Sequence, residues 1–302
     1  MNNQQRNPAV LVATDRQHTT NITNRPITHI VKPQYVVEGA GVRLRRSIAP
    51  QRTNKYDPFL LFDHFYFNDP LEGPINGFPM HPHRGIETVT YMLEGSTHHR
   101  DSLGNAGLIG PGDVQWMTSG RGIMHEELPR RGPNGTVNGF QLWVNLPAAQ
   151  KMTAPRYQEV SASTIPNVTQ DGVTVRVVAG EVWGTSGPVT EIAARPLYLD
   201  VSLSPNSSFV QPIPTGHTAM AYVFEGTGRF GVDADRVEAT RLVAFGDGDQ
   251  IEVQSEAGVR FVLIAGAPFR EPIAPYGPFV MNTFEEIKQT LVELQEGTFI
   301  KP

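Results

Sequence analysis

The chain has 302 residues, 39% of them hydrophobic and 18% charged, enough for a packed core in two domains or one large one and too apolar for wholesale disorder. A formal net charge of −5, with no Lys/Arg run, argues against a nucleic-acid backbone or an anionic membrane as the main partner. The absence of cysteine excludes disulfides, thiolate ligands and cysteine nucleophiles.

Residues 1–26 are polar and aperiodic, and a flexible N-terminal tail is expected there. They lack a basic head followed by an apolar segment, and no apolar run reaches the ~20 residues of a membrane span. The expected compartment is therefore cytoplasmic. From Ile27 onward short apolar stretches alternate with polar ones: 29–31, 35–37 and 42–48. With 29 Gly and 25 Pro as punctuation, the pattern predicts many short strands. The apolar run 57–65 reads as core, 86–93 as a strand closed by Glu94-Gly95, and 110–113 as a turn into a strand over 114–118. Another alternating strand covers 140–146, a connector is expected over 148–170, and strands resume at 173–179 and 197–203. One helix is predicted near the end: Thr283 with Glu286 forms a capping box, Ile287, Leu291 and Leu294 fall on one face, and Gly297 stops it. It is expected to dock without taking part in chemistry.

The chemistry concentrates at the two ends of the stretch 78–127. His81-Pro82-His83 and His125-Glu126-Glu127 each place two metal-binding side chains at i and i+2, the same face of an extended chain. Three imidazoles and a carboxylate suit iron, manganese, cobalt, nickel or copper. An internal repeat sharpens the point. Gly85, Tyr91, Glu94 and Gly95 recur without gaps as Gly216, Tyr222, Glu225 and Gly226, the turn Gly112-Asp113 recurs as Gly248-Asp249, and 140–147 matches 261–268. Two copies of one β-barrel are expected. In the second copy His81 and His83 become Pro212 and Pro214, and the segment 117–132 has no counterpart. Among the remaining residues, Arg84 and Arg121 are read either as anion-orienting groups or as structural ion pairs. His98-His99 is read as an exposed loop in preference to an accessory site, and His64 and His217 as structural. Trp116, Phe78 and Met124 are candidates for lining an aromatic pocket. Gly120-Arg121-Gly122 is not a phosphate loop, having neither the Lys-Ser/Thr nor a following helix.

The segments 78–89, 111–118 and 120–125, with 57–63 upstream and 277–283 near the end, resemble the pirin family, and the resemblance extends from about residue 30 to the C-terminus. It implies a bicupin: an all-β protein of two stacked antiparallel cupin (jelly-roll) β-barrels with a short C-terminal helix. The expected division is residues 1–26 as tail, 27–158 as the metal-binding barrel, and 159–302 as a barrel without ligands plus the helix. The implied ligands are His81, His83, His125 and Glu127, around Fe(II) first, with Mn, Co, Ni, Cu or Zn as alternatives. Glu87, in the position of the usual cupin glutamate, is the second choice, and Glu126 is expected to turn away. The Pro-x-Gly-x-x-His word of cupins has Gly120 in place of proline, expected to loosen that turn. The resemblance further implies a quercetin 2,3-dioxygenase-type ring-opening oxygenase acting on a flavonol or similar enol/aromatic substrate with O2, with Glu127 as the catalytic base. The alternative is a metal- and redox-dependent interaction protein that regulates transcription or a metabolic enzyme through a protein partner. A third reading, metal kept only for stability, predicts that chelation lowers the melting temperature alone.

Overall fold

A computed structural model of the protein describes residues 22–67, 77–231 and 235–301. Most of the described chain is antiparallel β-structure arranged as two barrels. The first pairs a seven-stranded sheet with a four-stranded one. The larger sheet runs, in spatial order, Arg156–Val160, Val114–Thr118, Ile86–Glu94, Val137–Asn145, Phe59–Phe67, Val42–Ile48 and Gln34–Glu38. The smaller runs Phe78–His83, Ile123–Arg130, Ser96–Asp101 and Ala106–Ile109. The second barrel repeats these neighbour relations: Val259–Gly266 lies between Leu197–Leu203 and Thr218–Phe230, and Ser207–Pro212 pairs with Gln250–Ser255.

The barrels meet through the outer faces of their larger sheets. Strand alternation sends Val89 and Tyr91 to the junction and Thr88, Thr90 and Met92 to the barrel interior. Phe62, Trp116, Phe140 and Leu142 join Tyr198, Met220, Tyr222 and Ile264 in one continuous apolar layer. Buried polar groups fix the register of that layer. Tyr91 Oη donates to Asp200 Oδ2 at 2.6 Å, and Arg260 clamps the same carboxylate at 3.0 and 2.7 Å. His64 bridges Tyr222 Oη at 3.0 Å and Asn138 Oδ1 at 2.9 Å, a structural role across the junction.

Several expectations change. Residues 1–21 of the predicted tail lie outside the described residues, but 22–26 run along the second barrel. There the buried Arg25 donates to the carbonyls of His217, Gly246 and Pro214. Ile27–Val31 pairs with Arg241–Phe245 of the second barrel, not with the first barrel that directly follows it in the chain. The edge of Val114–Thr118, the equivalent place in the first barrel, is covered by Arg156–Val160. The boundaries 27 and 158 therefore both move: each barrel leaves one edge open, and flanking chain closes it. The expected connector 148–170 contains that strand, a short 3₁₀ turn and the strand Asn167–Gln170.

The segment 117–132 does have a counterpart, Gln250–Ser255, which occupies the same place in its sheet but carries apolar side chains inward. Phe209, Phe230, Ile251 and Val253 fill that interior. The C-terminal helix spans Phe284–Gln295 with both halves of the Thr283/Glu286 capping box formed. It buries Ile287, Thr290 and Glu293, leaving Leu291 on the outside. No helix among the described residues is long and apolar enough to cross a membrane.

Candidate metal centre

Two neighbouring strands of the smaller sheet bring the histidines together. His125 lies directly across from His81 in the register of Phe78–His83 with Ile123–Arg130. The ring centroids of His81, His83 and His125 lie 4.3 to 5.0 Å apart, and one ligand nitrogen from each falls within 4.8 Å of the others. Two tautomers are set by backbone carbonyls: His81 Nδ1 donates to Pro79 O at 2.9 Å and His83 Nδ1 to Pro278 O at 3.1 Å. Each leaves Nε2 with a free lone pair. His125 is fully buried and neither of its ring nitrogens has a protein partner. Burial, with His81 beside it, pulls His83 down to about 3. Burial, with His83, His81 and His99 around it, holds His125 well below the ordinary imidazole value. Neutral imidazoles with converging lone pairs, one of them without any other partner, fit a metal ion.

Glu127 stands slightly apart. A bulge between His125 and Glu127 shifts the register, and the close cluster holds the three histidines alone. The Glu127 carboxylate is buried on the wall of the same cavity, with Oε1 2.9 Å from Thr90 Oγ1. That hydroxyl also lies 2.9 Å from Gln141 Oε1. One hydroxyl proton cannot serve both oxygens, so the consistent arrangement turns the Gln141 amide over. Gln141 Nε2 then donates to Thr90, and Thr90 donates to Glu127.

The cavity beside this cluster has a volume of about 400 Å³. Val42, Leu44, Phe65, Phe78 and Met92 form an apolar side; His81, His83, Thr90, Gln141 and Glu127 form a polar one. Trp143 stands edge-on to His83 at 5.1 Å between centroids. On the wall, Arg46 is bidentate to Asp63 at 2.9 and 2.8 Å and reaches Glu38 at 2.7 Å, so its charge is already answered.

Other expectations are redistributed. Phe78 lines the cavity, but Trp116 belongs to the junction and Met124 packs under the C-terminal helix. Glu87 shares the outward parity of Val89, accepts from Thr118 Oγ1 at 2.8 Å and is pushed by burial up to about 7. It lies outside the histidine cluster. Glu126 points away, to Arg100 at 3.0 Å. Gly120 has φ +47°, a value proline cannot adopt, and a Cβ there would collide with the Thr153 carbonyl. The turn is tight rather than loosened. Arg84 is a structural ion pair: it donates to Glu293 Oε2 at 2.6 Å and Thr290 Oγ1 at 3.0 Å on the helix, its side chain 1% exposed. His98-His99 is no exposed loop. It lies on Ser96–Asp101, with His99 buried 5.4 Å from the His125 ring and bonded to Asp101 at 3.2 Å. Sequence reasoning passed over Asp101, Thr90 and Gln141 and took His99 for a loop residue. The inward parity of Thr97, His99 and Asp101 was the available signal.

Comparison with known proteins agrees with the two-barrel fold. The family model for pirin matches residues 41–144, and that for the pirin C-terminal cupin domain matches 198–300. The chain belongs to the pirin family. Among pirin relatives, it is 46% identical over 277 residues to a pirin-like protein of Caulobacter vibrioides, covering 91% of this chain and 99% of that one. It is 44% identical over 280 residues to the pirin of Homo sapiens, covering 91% and 94%. A solved structure, quercetin 2,3-dioxygenase from Acinetobacter baumannii, superposes with a TM-score of 0.84 at 33% identity, covering 92% of this chain and 99% of that one.

Proposed function

We propose that this pirin is a metal-dependent ring-opening dioxygenase of the quercetin 2,3-dioxygenase kind, taking a flavonol or a similar enol-bearing aromatic together with O2. The observation that carries the reading is the cavity. Its volume of about 400 Å³ lies within the roughly 300–1,000 Å³ usual for small-molecule sites, and its polar side includes His81, His83 and Glu127. The structural likeness to the Acinetobacter dioxygenase supports the same reading.

His81, His83 and His125 would hold the ion, with Glu127 as fourth ligand and Fe(II) first among the candidates. A bound ion would supply Lewis acidity toward a substrate hydroxyl and electron exchange with O2. The protein side of the chemistry follows from the cavity walls. Phe65, Phe78, Met92 and Trp143 take the faces of flat rings and keep water out. The Gln141–Thr90 chain holds Oε1 of Glu127, so Oε2 is the oxygen that would reach the ion and, by giving up that bond, would act as general base toward the enol proton. Arg46, paired twice over, offers no seat for a carboxylate or phosphate, which favours a neutral substrate. The test is quercetin consumption in air with Fe(II) added; turnover no greater than that of a His125→Ala variant would remove the proposal.

A further inference from the structure

The three histidines differ in what holds their second nitrogen. A metal-binding imidazole nearly always donates its other N–H to a carbonyl, carboxylate or water, which fixes ring orientation and raises basicity. His81 has Pro79 O and His83 has Pro278 O for this purpose. His125, the most deeply buried of the three, has no such carbonyl. The neighbouring ring is that of His99, 5.4 Å away between centroids; its Nδ1 is also buried and, like both nitrogens of His125, makes no hydrogen bond in this structure.

We propose that His99 is the positioning residue for His125, its Nδ1 accepting the outer N–H of the His125 ring once an ion seats the other nitrogen. The inference rests on the metal-centre reading above. Asp101 settles which nitrogen of His99 can accept. Its carboxylate receives the backbone N–H groups of Leu103 and Asn105 at 2.9 and 3.1 Å and the Asn105 amide at 2.9 Å, so it is held in place as an acceptor. Facing Asp101 Oδ2 at 3.2 Å, His99 Nε2 must carry the hydrogen. In the neutral ring Nδ1 is then a lone pair, the complement of the N–H that His125 would carry with its other nitrogen on the ion. The sheet register builds this arrangement: Asp101 lies directly opposite His125 and His99 directly opposite Glu127, all facing inward. Neither His99 nor Asp101 lines the substrate cavity, so the pair acts through His125 and not on substrate.

The experiment uses the full chain, stripped of metal, titrated with Co(II) against a chromophoric chelator while the visible d–d absorption is recorded. Wild type and His81→Ala test the centre itself: if wild type binds no tighter than His81→Ala, the metal-centre reading fails, whatever His99 does. Given a working centre, His99→Leu should weaken cobalt roughly 10- to 100-fold and displace the absorption bands. His99→Asn, whose amide oxygen can stand near the Nδ1 position, should recover most of the loss. Asp101→Asn should resemble His99→Leu, because an amide donating to Nε2 forces the hydrogen onto Nδ1. Thermal unfolding of each metal-free variant separates folding defects from binding defects. Unchanged affinity and spectrum in His99→Leu would overturn the proposal, and so would equal losses in His99→Leu and His99→Asn, which mean packing alone.

Discussion

Thr90 sets what can be learned from Glu127. Because a neutral hydroxyl holds one carboxylate oxygen, a Glu127→Gln side chain can keep that contact through its amide oxygen while losing the ability to take a proton. Quercetin turnover per bound iron should fall at least about 100-fold in that variant, with metal content measured in parallel so that loss of the ion is scored separately. Lys151 gives a second test at this scale. It is buried, its Nζ lies 2.7 Å from Gly85 O, 2.5 Å from Asn145 Oδ1 and 2.6 Å from Val280 O, and burial pulls it down to about 7. Lys151→Met leaves those oxygens without a donor. Urea unfolding should show a loss of roughly 3 kcal/mol, about one for each contact. At this scale the convergence of His81, His83 and His125 was legible because i and i+2 spacing is a strand property that needs no tertiary knowledge. His99 was not. The inward positions of its strand are Thr97, His99 and Asp101, so no apolar alternation marks the segment as buried, and a polar site interior looks like a loop in the sequence.

Among the elements, the C-terminal hairpin and helix matter beyond their own packing. Ala274–Tyr276, Phe279–Met281 and the helix return from the second barrel to the first. On the way they supply the Pro278 carbonyl to His83 and, through Gly277 and Pro278, part of the cavity wall. The anchor is Arg84, next to His83, with Glu293 and Thr290. Glu293→Ala leaves a buried guanidinium without its carboxylate and should cost about 3–5 kcal/mol in urea unfolding, with weaker cobalt binding as a secondary effect. Gly85, at φ +78°, allows this approach, since a Cβ there would run into the Val280 carbonyl. The helix itself was legible from its cap and periodicity. Its packing face was misread toward Leu291 because the decisive contacts are polar, and hydrophobic spacing cannot report that Thr290 and Glu293 face inward to meet an arginine.

For the molecule as a whole, the barrel junction carries a pH dependence. His64 is pushed down to about 4 by burial, from 6.5, while it joins the two barrels. As pH falls, the unfolded chain takes up this proton first. Stability that is complete above about pH 6.5 is therefore lost on the way down to 4, by up to about 3 kcal/mol. Urea unfolding at pH 7 and pH 4 should show that decrement shrinking in a His64→Gln variant, a comparison that leaves the metal-site histidines common to both. The repeat made the two-barrel plan legible, but not the division of the chain between barrels. Strand pairing across more than two hundred residues leaves no local trace, and Ile27–Val31 looks the same in sequence whichever edge it closes.

That pairing has a consequence for how the molecule is made. On the ribosome Ile27–Val31 emerges before any of the first barrel, while Arg241–Phe245 follows long after that barrel is complete. The early strand must stay unpaired through most of synthesis, and the second half cannot close until it is recruited. A chain beginning at Lys32 should accordingly yield aggregated protein, which a synthetic peptide covering 22–31, added during refolding, rescues into the soluble fraction.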